Sequence, residues 1–431
     1  MKKYIKNYEF NKYWFNNYPN SFKLSLNSIL SEIYTPGIGY ICQEFSKTPI
    51  DINGVIISII DSDQDIIKKL EKISPKKIIV FTDGSRLLGF GDLGYNGYPI
   101  CDAKIFIHRI MAGYSENECL PVLLDLGLQK SNFDKDYKGI RRERLPLNQE
   151  LDHILRILKI FSLKFSESIF HYEDFSYPKS KLILENSLQF HPRSYNDDIE
   201  GTAIIILCGL INVLGRKNLF KEKILFVGAG AVTFGILNLF ENIYGLYNKN
   251  NKNNKNNKNN KNNIILVDSQ GLVTKERKLN DDLKNKYSIN HPNCKNLSKI
   301  IKNLKPKIII TATGKGKLID DNDLKFLLDY HSKIIAFSLG NPEEKSEIPF
   351  TKFISKSKNI IYGSGSNING ATMLNNFLAF PLLADEMLKN PSTNRFELFK
   401  DVINKLIIMT PKNKIVPSID DLVSYFNHKK K

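Results

Sequence analysis

Lys223-Ile224-Leu225-Phe226-Val227-Gly228-Ala229-Gly230-Ala231-Val232-Thr233-Phe234-Gly235 is the stretch that decides the fold class. Ile224 to Val227 leaves no polar face for solvent, as in a strand covered on both sides. Gly228 and Gly230 permit a turn in which backbone lies against a ligand. A helix follows, to about Tyr244. A strand, a glycine turn and a helix in that order gather free N–H groups and the positive end of the helix dipole at one point. That point suits a pyrophosphate. Gly228, Ala229, Gly230 and Gly235 are therefore candidate cofactor-binding residues, with Thr233 standing where the usual fingerprint has Gly or Ala.

The same texture continues outward from this unit. A helix over 201–214 precedes it, and apolar strands are expected at 264–267, 307–310, 333–337 and 359–362, separated by helical stretches. Continuous apolar strands alternating with helices predict a parallel, doubly wound, Rossmann-type sheet. Asp268 ends the next strand and supplies the acid expected at a ribose, followed directly by Ser269. The segment 248–263 repeats Asn-Lys-Asn with no apolar residue to offset its ordering entropy, so it reads as a disordered, inert surface insert. Upstream, residues 1–33 read as short helices and strands are expected at 54–60, 77–81 and 166–172. A helix is expected with Leu151, Ile154, Leu155, Leu158 and Ile160 on one face. The expected fold class is α/β. An N-terminal α/β catalytic domain over 1–193 precedes an NAD(P)-binding domain over 194–431 that ends in a short helical tail.

Bulk properties remove several function classes. A chain of 431 residues buries a large core, and no apolar run approaches the roughly 20 residues that span a bilayer. The first residues lack the apolar region of a secretion signal, so the expected compartment is the cytoplasm. Five scattered cysteines without a CxxC pair read as reduced core thiols. The net charge of +17 comes mostly from lysines dispersed among Asn and Ile, without an aromatic-and-basic motif, so no nucleic-acid partner is expected.

Chemistry concentrates elsewhere. Phe81-Thr82-Asp83-Gly84-Ser85-Arg86-Leu87-Leu88-Gly89-Phe90-Gly91-Asp92-Leu93-Gly94 follows an apolar run with a loop rich in glycine. Arg86 within it offers a planar fork for a carboxylate. Tyr172-Glu173-Asp174-Phe175 ends a strand, and Asn196-Asp197-Asp198-Ile199-Glu200 precedes a helix. Glu173, Asp174 and Asp198 can share one Mg²⁺ or Mn²⁺ only if the strand breaks between the first two, because neighbours in a strand face opposite ways. Asp198 also reads as a helix N-cap, and Asn341 and Asn376 read as caps or as amides for substrate oxygens. Taken alone, Tyr34 is a packed aromatic and Lys104 a solvated cation.

In order, Tyr-Thr-Pro at 34–36, the loop 82–94, Lys104, Cys-Leu-Pro-Val at 119–122, Glu-Asp-Phe at 173–175, Asn-Asp-Asp-Ile at 196–199, Gly-Ala-Gly at 228–230, Val-Asp-Ser at 267–269, Asn-Pro at 341–342 and Asn-Asn at 375–376 closely resemble the malic enzymes of the larger, mainly eukaryotic type. The resemblance implies oxidative decarboxylation of malate to pyruvate with NAD(P)⁺ and a divalent metal. It implies Tyr34 as general acid, Lys104 as general base with a depressed pKa, and Arg86, Asn341 and Asn376 as malate-binding groups. It also implies Glu173, Asp174 and Asp198 as metal ligands. Two rivals stay open at this point: a malolactic-type reaction to lactate without net redox, and a non-catalytic nucleotide-binding relative. The chain is shorter at both ends than that family, so a homo-oligomer, a dimer rather than a tetramer, is expected. Asp102 near Lys104 and Glu200 beside the metal loop depart from the family pattern. Ser269, Lys275, Arg277, Lys278 and Lys284 after Asp268 tilt the expected cofactor from NAD toward NADP.

Overall fold

The computed structural model describes residues 2–17, 26–34, 36–48, 52–87, 90–129, 133–245 and 263–428. Thr35, Leu88, Gly89 and nearly all of the Asn/Lys insert lie outside the described residues. The chain divides into two compact units. One comprises Met1–Gly201, Phe380–Thr393 and Ser418–Lys431, and the other Thr202–Ala379 and Asn394–Pro417. The texture of the sequence places the change at 193/194 and gives everything beyond it to the second domain. Instead the chain crosses at Gly201 and twice returns.

Among the described residues the first unit carries five strands: β1 (Val55–Ser58), β2 (Ile78–Thr82), β3 (Cys119–Asp125), β4 (Ile169–Tyr172) and β5 (Ser194–Asn196). Their order is β1-β3-β2-β4-β5, and every pairing is parallel. Every residue of β2, β3 and β4 is buried, as expected of mostly apolar strands in a parallel sheet. The helices Tyr98–Ala112 and Leu147–Lys164 contribute apolar faces to this unit. Strand β3 contains Pro121, which removes a ladder donor. Pairing with β1 starts only at Val55 opposite Val122, so Pro121 sits at the margin of that ladder.

The second unit carries β6 (Ile224–Val227), β7 (Ile264–Asp268), β8 (Gly271–Leu272), β9 (Ile308–Thr311), β10 (Ile334–Ser338), β11 (Ile360–Ser364) and β12 (Thr372–Met373). The order β12-β11-β10-β9-β6-β7-β8 is parallel except for the β7–β8 edge. Strand order reverses between β6 and β9, and ligands of open parallel sheets bind beyond the strand ends at such a reversal. The sequence-expected strands of this unit each fall within about one or two residues of the observed bounds. Among the described residues no helix is long and apolar enough to cross a membrane.

Candidate active site

The β2 end and the loop after it are held by charge. Asp83 accepts from Arg144 Nη1 at 3.1 Å and from the buried Lys179, and both cations also bind Glu150. Arg144 reaches Asp92 at 2.8 Å as well, so one guanidinium ties both ends of the loop. Gly84 adopts φ +64°, and a Cβ there would lie 2.2 Å from the Gly94 carbonyl oxygen, so the tight crossing needs glycine. This anchored loop carries Arg86, whose side chain is exposed and whose backbone N–H donates to Asp174 O at 3.1 Å.

Beside it, Glu173 and Asp174 follow the last residue of β4. Asp174 has φ +55°, and this departure from extended backbone is the strand break that two neighbouring carboxylates need to face one point. Asp197 and Asp198 open a π-helical turn over Asp197–Gly201. That turn aims its first two acids apart: Asp197 toward Lys104, Asp198 toward the Asp174 backbone N–H at 2.9 Å. Ligand atoms of Glu173, Asp174 and Asp198 lie within 4.8 Å of one another. Asp174 Oδ2 is buried with no hydrogen-bond partner. A buried carboxylate oxygen without a donor, in an all-oxygen cluster, fits a hard divalent cation.

Lys104 is fully buried on the Tyr98–Ala112 helix. Its ammonium binds Asp197 Oδ2 at 2.6 Å and Glu173 Oε1 at 3.0 Å. It also lies 5.1 Å from the centre of the Tyr34 ring and 4.6 Å from that of Phe380. Burial disfavours its charge, but the two carboxylates outweigh burial and raise its pKa well above 10.5. The sequence expectation of a depressed pKa is conditional on burial together with a nearby cation; burial acts in that direction here, and the two carboxylates act against it. Burial likewise raises the acids: Asp197 and Asp198 are each pushed up to about 7, and Asp174 well above the usual carboxylate range, with neighbouring carboxylates adding to it. Burial raises the Tyr34 phenol too, against the pull of Lys104.

Three of these residues lie outside the sequence-level site. Asp197 belongs to a motif read for its neighbour Asp198. His171 and Tyr195 were not singled out, although His171 stands two residues before Glu173 on one strand and so shares its face. His171 Nε2 lies 3.0 Å from Glu173 Oε2. Burial keeps His171 neutral, its pKa lowered to about 3. Asp102 does not contact Lys104: it accepts from Tyr8 Oη at 2.9 Å and Lys12 Nζ at 3.0 Å. Glu200 Oε2 accepts the Asn196 N–H at 3.2 Å.

In the second unit, Gly228 at the tip of β6 has φ +107°, and a Cβ would meet Ala312 O at 2.4 Å. A Cβ on Gly230 would meet nothing within 4 Å, leaving open space at the start of the 14-residue helix Ala231–Tyr244. Thr233, in the late-glycine position, donates its hydroxyl to Gly228 O and closes the turn. An open cradle at an uncapped helix start fits a dinucleotide phosphate. Asp268, at the end of β7, is bound by Arg277 Nη2 at 2.8 Å and Lys284 Nζ at 2.9 Å. Asn341 Oδ1 accepts from Ser366 Oγ at 3.2 Å, while Asn375, not Asn376, caps the turn at Phe377. Both Asn341 and Asn376 belong to this second unit.

Together these features make the second unit a Rossmann-type nucleotide-binding domain. Family models described as "Malic enzyme, N-terminal domain" and "Malic enzyme, NAD binding domain" match residues 16–187 and 199–389, and the chain belongs to the malic enzyme family. The NADP-dependent malic enzyme of Homo sapiens is 31% identical over 358 residues, 81% of this chain and 61% of that protein. NADP-dependent malic enzyme 1 of Arabidopsis thaliana is 28% identical over 375 residues, 83% and 63% respectively. The chain thus spans about three fifths of the length of these curated relatives. The NAD-dependent malic enzyme of Thermotoga maritima matches with a TM-score of 0.61 at 20% identity, over 92% of this chain and 91% of that one. The malic enzyme of Pyrococcus horikoshii matches with 0.59 at 20% identity, over 93% and 84%. At such identity the likeness is one of fold.

Proposed function

We propose that this protein oxidises and decarboxylates malate to pyruvate and CO₂ while reducing NADP⁺ in preference to NAD⁺. The observation that carries the reading is Lys104, fully buried against Asp197 and Glu173 with the Tyr34 ring beside it. A lysine is seldom taken wholly out of water for stability alone. Glu173, Asp174 and Asp198 would hold Mg²⁺ or Mn²⁺, and such a cation, when bound, supplies positive charge for the C2 oxygen and for the enolate left after CO₂ departs.

The chain's own groups divide the remaining work. Lys104 takes the proton of the C2 hydroxyl. Asp197 and Glu173 hold it as an ammonium, so it must shed that proton before it can act as the base. Tyr34, kept protonated by burial, returns a proton to C3 of the enolate. Arg86, exposed on its anchored loop, is free to close on a malate carboxylate with two parallel hydrogen bonds. Asn341 and Asn376 are assigned to substrate oxygens on resemblance. Asp268 supports NADP⁺ because Arg277 and Lys284 already occupy its oxygens, leaving positive charge where a 2′-phosphate would lie.

The test is malate-dependent reduction of NADP⁺ and of NAD⁺ with Mn²⁺. NADPH should accumulate with a higher kcat/KM than NADH. Lys284→Ala should lower the NADP⁺ value about 10–100-fold, the weight of one charge-assisted contact, and spare NAD⁺. Malate consumption without reduced nucleotide would defeat the reaction assigned here, and a preference for NAD⁺ would defeat the cofactor choice.

A further inference from the structure

Behind Glu173 lies a buried polar cluster that the reaction above leaves unused. His108 on the Tyr98–Ala112 helix, His171 on β4 and Tyr195 on β5 each have no exposed surface. Strand register sets Tyr195 directly beside His171. Tyr195 Oη lies 2.9 Å from His171 Nδ1, and His108 Nε2 lies 3.2 Å from the same nitrogen. The Phe380 ring covers both imidazoles, at 4.7 Å from His108 and 5.2 Å from His171.

Donors and acceptors in this cluster can be assigned in one direction. Glu173 faces the Lys104 ammonium and accepts, so the hydrogen between Glu173 and His171 belongs to His171 Nε2. His171 Nδ1 is then an acceptor with a single lone pair, which the closer Tyr195 Oη–H takes at 2.9 Å, while His108 Nε2–H lies between that nitrogen at 3.2 Å and Tyr195 Oη at 3.4 Å. His108 Nδ1 has no partner, which costs less as a bare lone pair than as a buried N–H. Every hydrogen in the chain therefore points toward Glu173.

We propose that His171, its tautomer set by Tyr195 and His108, is a positioning residue that fixes the Glu173 carboxylate for metal binding. The terminal torsion of a glutamate is soft. Here Oε2 is held by His171 at 3.0 Å and Oε1 by Lys104 at 3.0 Å, so the plane of the carboxylate is set from both sides before a cation arrives. The inference rests on the reading of Glu173, Asp174 and Asp198 as metal ligands. His171, Glu173 and Asp197 also come within 4.8 Å of one another, but the Lys104 ammonium already binds the two carboxylates there and takes the place of a second cation.

The experiment measures Mn²⁺ affinity of the metal-depleted full chain by electron paramagnetic resonance, for wild type, His171→Leu, His171→Gln and Glu173→Gln. Loss of the donor in His171→Leu should weaken binding about 10–100-fold, the usual effect of removing a group that orients a ligand. His171→Gln, which returns an N–H near the position of Nε2, should stay within a few-fold of wild type. Independently of any folding defect in the leucine variant, ¹⁵N NMR of the unmodified protein should show His171 as the Nε2–H tautomer, assigned by its loss in His171→Gln. Weak binding by Glu173→Gln with unchanged binding by His171→Leu, or an Nδ1–H tautomer, would overturn the positioning role. Unchanged binding by Glu173→Gln would instead overturn the metal reading itself, and this inference with it.

Discussion

Replacing Lys104 with alanine should damage stability and turnover by separable amounts. The substitution removes the ammonium 2.6 Å from Asp197 and 3.0 Å from Glu173, which are 0% and 1% exposed as side chains. Breaking a buried pair by removing one partner costs about 3–5 kcal/mol, because a charge or an unwanted proton is left behind. For a unit of this size about 2–4 °C of Tm follows each kcal/mol, so Tm should fall by about 6–20 °C. Loss of a general base should independently lower kcat about 10²–10⁴-fold, or roughly 3–5 kcal/mol of barrier. Adding Asp197→Asn to Lys104→Ala withdraws one of the stranded carboxylates. The double variant should regain part of the lost Tm and none of the lost turnover. Calorimetric Tm and malate-dependent NADPH formation, measured below the Tm of each variant, provide the two readouts. Recovery of turnover in parallel with Tm would refute the reasoning, because Lys104 would then serve only to neutralise its neighbours. A loss of only a few-fold in a folded Lys104→Ala protein would refute it equally.

Three further outcomes follow from the site. Asp197 and Asp198 hold protons up to about pH 7 in the folded metal-free chain, burial being the main cause, and release them near 3.8 when unfolded. The native state thus binds more protons between these limits, so metal-free Tm should fall as pH rises from about 4 to 7. Mn²⁺ held by Glu173, Asp174 and Asp198 must displace the proton of Asp198, so its affinity should climb through the same window and level off above it. Titrations in buffers of different ionisation enthalpy that detect no proton release near pH 6 would contradict this. Tyr34→Phe should spare reduction of oxaloacetate more than formation of pyruvate, since protonation at C3 comes after the oxidation step. Equal losses in the two half-reactions, compared by stopped-flow, would exclude Tyr34 as the acid.

Legibility in the sequence followed physical type. Strands β2, β6, β7, β9, β10 and β11 each open on a continuous apolar run, and their parallel stacking could be read from them. Strand β3 was hidden by Pro121, which argues against a sheet interior, and β5 by being three residues long with a serine and an asparagine. Glu173, Asp174 and Asp198 could be grouped by charge, but their convergence depends on a backbone angle at Asp174 and a π-turn after β5 that local pattern does not encode. His108, His171 and Tyr195 come from three elements far apart in the chain, and sequence periodicity carries no sign that polar groups will be buried together. The electrostatics of Lys104 are illegible for a related reason: they depend on Asp197 and Glu173, and that pairing exists only in three dimensions.

The first unit recruits Phe380–Thr393 after the whole of 202–379 has been laid down. Phe380 is the ring that lies over Lys104, His108 and His171. On the ribosome, then, the strands of the first unit are complete long before the side chain that seals its charged interior has been synthesised. At 5–20 residues per second the interval is roughly 10–40 s. During that time the buried lysine has the Tyr34 ring beside it but not that of Phe380, and a fragment ending near residue 201 never acquires the second ring. The nascent first unit therefore carries its charged interior without one of the rings that lie against it until residue 380 has been added.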